Sequence, residues 1–302
     1  MNAHHKPLKI GLIGTGFMGK THVYGYAIAD RVFDLPYKLE LVSVADVSED
    51  LAQSAAHSLG FKRSTSNWLD LIDDRDLDLI SITSPNEFHK EMAIAALEAG
   101  KHVYCEKPLA PTLQDCDEMV SVAGKSAGKT QVGYNYLSNP MLGVARNLIE
   151  SGELGKIISF RGIHIEDYMS DPDNVYTWRH NPVGGGVLAD LGSHILATAE
   201  FLLGPICEVL GDCVTVIPSR KTCEGVRKEI KVDDISRSYL KFSSGVTGNI
   251  EASWLATGRK MKHDFEINGT QGSISYSQER LNELNFFSKK DKQGFQGFRK
   301  IE

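Results

Sequence analysis

Residues 9–19 read Lys9-Ile10-Gly11-Leu12-Ile13-Gly14-Thr15-Gly16-Phe17-Met18-Gly19. An apolar run ends on glycine and continues with the G-x-G-x-x-G spacing. Each glycine answers a physical need. Gly14 permits a tight turn at the end of a strand, and Gly16 lets main-chain N–H groups approach a pyrophosphate. Gly19 lets the following helix pack closely on the strand, and that helix's N-terminus adds partial positive charge. Glycine-rich turns are common, so context decides. The second apolar strand, residues 39–45, ends at Asp46, near the spacing of roughly 20 residues past the last glycine at which such an acid falls. A carboxylate there accepts from adenosine ribose hydroxyls and repels a 2′-phosphate, which favours NAD over NADP. Its plain alternative is a helix N-cap, a place that Ser48 fills equally well.

Further short apolar runs follow at residues 8–13, 79–83, 101–105 and 130–133, separated by amphipathic stretches. That alternation is the pattern of βαβ units and a parallel sheet. The clearest helix spans residues 87–99, with Asn86 as N-cap and Gly100 as the stop. Near residue 134 the style changes. Asn139-Pro140 opens a helix that runs to about Ser151 and stops at Gly152. A strand-like stretch at 156–165 leads into a loop of Asp, Pro and Asn. Gly184-Gly185-Gly186 then precedes a helix at 187–203, ended by Gly204-Pro205. Strands are expected at 209–217, 235–242, 246–254, 263–268 and 272–277, with turns at Ser244-Gly245 and Gly269-Thr270. The expected fold is an α/β Rossmann domain over residues 1–133, followed over 134–302 by an α+β domain with a large, mainly antiparallel open sheet.

The 302 residues suit two domains at roughly 150 residues each. A formal charge of −6 argues against a general nucleic-acid or anionic-membrane binder. No run of about 18 uncharged apolar residues suggests a membrane span, and the N-terminus lacks a signal-peptide pattern. Five scattered cysteines without a C-x-x-C pair read as reduced thiols in a cytoplasmic protein.

Two further stretches carry chemistry. Glu106-Lys107-Pro108 follows a strand on the carboxyl edge of the parallel sheet, where α/β proteins place ligands. A lysine there can hydrogen-bond a substrate oxygen, although most lysines are only solvated. Asp190 and His194 are i and i+4 neighbours on the expected helix. Its core stripe is Leu188, Leu191, Ile195, Ala199 and Leu202. At ~100° per residue the pair lies about 140° and about 100° from the stripe's centre, away from the main core. A histidine suits proton transfer at neutral pH; a surface pair is the plain alternative. His164, Glu166, Asp167, His180 and His194 are ligand-type residues, but their spacing fits no compact metal motif, and no metal is expected.

Taken together, G-T-G-F-M-G (14–19), T-S-P-N-E-F-H (83–89), Y-C-E-K-P-L (104–109), V-G-Y-N (132–135), T-W-R (177–179) and G-G-G-V-L-A-D-L-G-S-H (184–194) resemble, in this order, the Gfo/Idh/MocA oxidoreductases, the group of glucose–fructose oxidoreductase and inositol dehydrogenase. The resemblance covers the chain from Lys9 to about Asn282. It implies that Lys107, Asp190 and His194 form a catalytic trio, and that the Lys107-Pro108 bond is cis. Gly14, Thr15, Gly16, Phe17, Met18, Gly19, Asp46, Ser84, Pro85, Asn86, His89, Glu106, Lys107 and Asn135 are then expected on the cofactor. Lys107, Tyr136, Arg161, Asp167, Tyr168, Trp178, Arg179, Asp190 and His194 are expected on the substrate. Tyr136 stands where many relatives carry arginine, which removes a cation from the expected substrate edge. The implied reaction is hydride transfer between NAD and a secondary alcohol of a sugar or cyclic polyol, with His194 taking the hydroxyl proton. An NAD-dependent glycosidase and a cofactor-binding protein without turnover are the other classes. A homodimer or homotetramer built through the second domain's sheet is expected. The resemblance also implies a last helix returning to the Rossmann domain; the stretch 283–302 does not read as one, so either the chain continues beyond residue 302 or its cofactor domain lacks that helix.

Overall fold

The computed structural model describes residues 6–302. The chain divides into two compact units, the first ending at Gly133 and the second running from Tyr134 to Glu302.

In the first unit the order is β1 (Lys6–Ile13), α1 (Phe17–Val32), β2 (Tyr37–Ala45), α2 (Glu49–Leu59), β3 (Arg63–Thr65), α3 (Leu69–Asp73), β4 (Leu79–Ile82), α4 (His89–Glu98), β5 (His102–Cys105), α5 (Leu113–Ala123) and β6 (Thr130–Val132). The strands lie side by side as β3-β2-β1-β4-β5-β6, and every pairing is parallel. Sheet order reverses direction at β1, so the carboxyl ends of β1 and β4 flank a topological switch point, the place where such sheets take ligands. Ile10, Leu12, Ile80 and Ile82 are fully buried, as expected of strands covered on both faces. Ser48 is the N-cap of α2, its hydroxyl accepting from Leu51 N–H at 3.3 Å, which leaves Asp46 free of that duty. Residues 86–88 form a separate 3₁₀ turn ahead of α4, so Asn86 is not the cap of that helix. Pro85 explains the offset, because the residue before it and its own extended ψ break helical continuity into the turn.

The second unit contains α6 (Pro140–Glu150), β7 (Ile157–Ile165), α7 (Ser193–Leu203), β8 (Ile206–Val214), β9 (Ser219–Lys221), β10 (Arg227–Glu229), β11 (Ile235–Phe242), β12 (Thr247–Ser253), β13 (Lys262–Gly269), β14 (Gly272–Ser277), β15 (Leu284–Ser288) and β16 (Arg299–Ile301). Asn139 caps α6 by accepting from Met141 N–H at 2.8 Å, with Pro140 in the first turn. The large sheet runs β16-β15-β14-β13-β7-β12-β11-β8, with β9 and β10 as a separate hairpin. It is antiparallel except between β7 and β12. β7, which precedes α7 in the chain, lies between β12 and β13, parallel to the first and antiparallel to the second. Leu142, Ala145, Phe160, Ile195, Ala199, Phe242 and Ile267 pack as one core between the helices and the sheet. Gly162 lets α7 approach β7: a Cβ there would lie 2.8 Å from the Ile195 side chain. The same strand alternation turns Phe160, Gly162 and His164 inward and Arg161 outward.

Candidate active site

The first unit builds a phosphate-type cradle at the end of β1. Gly14 holds φ +92°, and a Cβ on it would strike the Thr83 main chain at 2.9 Å. Thr83 Oγ1 donates to Gly14 O at 2.7 Å and Gly14 N–H donates to Ala45 O at 2.9 Å, fixing the turn to both neighbouring strands. A Cβ on Gly19 would collide with Gly14 O, so helix and strand are in direct contact there. Gly16 differs. A Cβ on it would meet nothing within 4 Å, and it stands at the N-cap of α1 with no side-chain cap. The amide face of α1 is thus approachable along the space a side chain would fill. Those features fit a dinucleotide pyrophosphate. Asp46 completes the fit: Oδ2 accepts from Thr15 N–H at 2.8 Å and from the Thr15 hydroxyl, and Oδ1 accepts from Val47 N–H at 2.7 Å. Its charge is thereby held beside the glycine turn.

The contrast between two of these glycines is testable. Gly16→Ala is expected to leave the thermal midpoint unchanged but to weaken NADH by about tenfold or more, because its methyl occupies the approach to the amides. Gly19→Ala is expected to lower unfolding free energy by ~1–3 kcal/mol through overpacking. Fluorescence titration and thermal denaturation of the two variants separate these effects.

The carboxyl ends of β4 and β5 carry the next residues. The Lys107-Pro108 peptide bond is cis. Lys107 is tied into its neighbours by Glu106, whose Oε2 accepts from Lys107 N–H at 3.2 Å. Glu106 is itself buried, with Oε1 3.0 Å from Nε2 of buried His22 on α1; the His22 Nδ1 lies 2.7 Å from Ser81 Oγ. Tyr104 stacks on the His22 ring at 4.5 Å. The Glu106 carboxylate thus serves as an internal anchor of the Lys107 main chain. His89 is tied in as firmly. It is fully buried, its two ring nitrogens 3.0 Å from Ser84 O and 3.0 Å from Pro108 O, and it clips the two strand-end loops together. Burial pushes its pKa down, against the pull of those carbonyls. Ser84 and Pro85 are half-buried at the end of β4 and Asn86 is buried. Phe17 is largely exposed and Met18 half-buried at the start of α1.

In the second unit, residues 188–192 form one π turn that runs into α7. Such widened turns recur at functional sites, because the extra residue re-aims side chains. Asp190 and His194 lie on either side of the join, and both are buried, not displayed on a solvated helix face. Asp190 Oδ2 accepts from Tyr168 Oη at 2.6 Å and from Arg179 Nε at 2.9 Å. The Arg179 guanidinium lies 4.5 Å from the Trp178 ring centroid. Burial, and then the Asp190 charge, push the Tyr168 hydroxyl well up, so it remains a donor.

His194 packs against aromatic rings: Tyr136 at 4.5 Å, His164 at 5.5 Å and Tyr134 at 6.0 Å between centroids. Tyr136 also covers His263 at 5.1 Å and donates to Met261 Sδ at 3.2 Å. His164 and His263 are register partners across β7 and β13, with rings 4.8 Å apart. His164 Nδ1 lies 3.1 Å from Leu191 O and its Nε2 3.3 Å from Glu166 Oε1, so both ring nitrogens face acceptors. Burial, then His164, hold His263 well below the usual histidine range, and it stays neutral beside the group. His263 and Tyr134 were not singled out by sequence; the pairing register that brings His263 to His164 spans a hundred residues.

Two more of the expected substrate residues carry ion pairs. Arg161 lies on the opposite face of β7 from His164, paired with Glu266 at 2.5 Å. Asp167 accepts from Gly258 N–H at 2.9 Å and from Lys260 Nζ at 2.8 Å, holding the β12–β13 turn. His180 closes a capping box with Thr177 and stacks near Trp254 at 5.8 Å. Among the described residues no group of three or more His, Cys, Asp or Glu is disposed to hold a metal ion. Asn135 is exposed at the start of a 3₁₀ turn.

These two constellations agree with what the chain is similar to. Residues 8–134 match the oxidoreductase family with NAD-binding Rossmann fold, and residues 144–275 match the GFO/IDH/MocA C-terminal domain. The chain belongs to this family, and it is an NAD-dependent oxidoreductase. Levoglucosan dehydrogenase of Pseudarthrobacter phenanthrenivorans is 37% identical, the alignment covering 97% of this chain and 80% of that one. 1,5-Anhydro-D-fructose reductase of Ensifer adhaerens is 32% identical over 87% of this chain and 74% of its own. The structure of levoglucosan dehydrogenase in complex with NADH and levoglucosan superposes with a TM-score of 0.95, over 98% of this chain and 80% of that chain.

Proposed function

We propose that this NAD-dependent sugar or polyol oxidoreductase oxidises a secondary hydroxyl of an anhydro sugar of the levoglucosan kind, with Lys107, Asp190 and His194 as its catalytic residues. The observation that carries the residue roles is the buried Asp190–His194 pair, set on either side of the join between a π turn and α7, one member charge-paired and the other walled by aromatic rings. The sugar class is supported by relatives that act on anhydro sugars.

NAD, when bound, supplies the hydride acceptor; the main chain of residues 14–19 and Asp46 would hold it. His194 takes the proton from the substrate hydroxyl. Lys107 donates a hydrogen bond to that oxygen and stabilises its developing negative charge. Asp190, oriented by Tyr168 and Arg179, accepts from a neighbouring hydroxyl and fixes the sugar's orientation. The Tyr136 and Tyr134 rings keep water from His194, and they offer an apolar wall to a ring C–H face in place of a cation. A neutral sugar suits such a wall better than an acidic one. Ser84, Pro85, Asn86 and Asn135 are proposed to border the nicotinamide and its ribose, and Trp178 the sugar.

Asp46→Ala is expected to weaken NADH and to lower the preference for NAD over NADP by about tenfold or more, since the carboxylate both accepts from the ribose and repels a phosphate. Comparing kcat/KM for the two cofactors checks this, and an unchanged preference removes Asp46 from the cofactor's recognition.

A homo-oligomer and a cytoplasmic location complete the reading. Leu210 and Tyr239, register partners on the face of the sheet opposite Leu240, are 73% and 71% exposed, an apolar patch of the kind that subunits cover. All five cysteines are free, as reducing conditions would keep them. No helix among the described residues is long and apolar enough to cross a membrane. Light scattering of the eluted protein tests the assembly: a monomer at micromolar concentration would contradict it.

A further inference from the structure

Two partners of Asp190 come from one irregular stretch of chain, Tyr168 at its start and Arg179 at its end. Between them the chain has almost no regular structure, and one buried side chain takes three of its carbonyls. Arg220, on the short strand β9, is 1% exposed. Its Nη2 donates to Met169 O at 2.6 Å, and its Nη1 to Asp171 O at 2.7 Å and Asn174 O at 3.3 Å. The main chain beside it adds Tyr176 N–H to Lys221 O at 2.7 Å. Within the loop, Asn174 Nδ2 donates to Tyr168 O at 2.9 Å, and Tyr176 Oη donates to His180 O at 3.0 Å.

Burying a guanidinium is costly unless its N–H groups are used. Here they are spent on carbonyls of one loop, and its Nε is left without a partner. Removing the guanidinium leaves three carbonyls to find other donors, which a loop does most readily by moving. We propose that Arg220 is a positioning residue for substrate recognition: it fixes residues 169–174 and thereby sets how Tyr168 and Arg179 meet Asp190, without touching the sugar. The inference rests on the reading that Asp190 and its two partners face the substrate.

The test compares Arg220→Met, Arg220→Lys and Asn174→Ala with Arg179→Ala, using levoglucosan as the sugar. Readouts are KM and kcat, the NADH dissociation constant by fluorescence, and the rate of limited proteolysis within residues 169–177. Arg220→Met is expected to raise the levoglucosan KM by about tenfold or more, with kcat at saturation within about threefold and NADH binding within about twofold. Cleavage in the loop should accelerate, and Arg220→Lys should recover part of both effects, because an ammonium can reach fewer carbonyls. If Arg220→Met does not fold, Asn174→Ala carries the same expectation with a smaller KM change. An unchanged cleavage rate, or equal losses of NADH binding and sugar binding, overturns the proposal. So does an unchanged KM in the Arg220 variants while Arg179→Ala raises it. If Arg179→Ala itself leaves KM and kcat unchanged, the underlying reading of the site fails, and the cleavage rate alone then decides whether Arg220 orders the loop.

Discussion

His194→Ala is expected to lower turnover by 10²–10⁴-fold while NADH binding stays within about twofold. General acid–base help by a positioned histidine has that magnitude, and the residue belongs to a unit distinct from the one that carries the glycine turn. His194 is enclosed by Tyr134, Tyr136 and His164, so its ring is oriented by packing as well as by its place after the π turn. Truncation should therefore remove the proton acceptor without disturbing the cradle at Gly14–Gly19. Steady-state kinetics paired with NADH fluorescence makes the distinction. Equal losses of cofactor affinity and turnover would show that His194 has another role.

Lys107→Ala is expected to lower kcat by about 10²–10³-fold, the loss typical of removing one preorganised donor from a developing oxyanion. The main-chain N–H of Lys107 is held by Glu106, and Glu106 in turn by His22 from α1, so the peptide that presents the ammonium group is fixed from behind. Lys107→Arg keeps the charge but replaces a compact ammonium with a planar fork, and it should recover less than about a tenth of the native rate. NADH affinity should change little in both. A kcat within about fivefold of native for Lys107→Ala would assign the oxygen's stabilisation elsewhere.

The glycine turn was legible because its residues answer local demands: a positive φ at Gly14, close packing at Gly19, an approachable backbone at Gly16. Strands Ile235–Phe242 and Gly272–Ser277 were readable to the residue, since alternation of buried and exposed positions marks them. Strand β8 lies three residues earlier than its expected place. It is an edge strand exposed along most of its length, so no burial pattern locates it. The three-residue strands β3, β9, β10 and β16 carry too little pattern to be found, and β15 was hidden in a mixed polar ending.

In the site, Asp190, His194, Tyr168 and Arg179 were legible as residue types, and Tyr136 as a departure from its family's usual arginine. What the sequence withheld was orientation. Asp190 and His194 are buried about a π turn that regular helical periodicity does not announce. Strand parity puts Arg161 on the far face of β7 although it lies only three residues from His164. His263 reaches that group through β-register, and Arg220 reaches the 169–174 loop from a three-residue strand. Both are contacts between segments far apart in the chain, and nothing in local periodicity encodes them.

The most direct measurement is NADH formation, followed by absorbance, when the protein is mixed with NAD and, separately, levoglucosan, myo-inositol, glucose and a chromogenic glycoside. Sugar-dependent NADH formation, strongest with levoglucosan and lost in His194→Ala, is the expected result. Tight NADH binding without hydride transfer to any of these, or glycoside cleavage without net NADH, would contradict it.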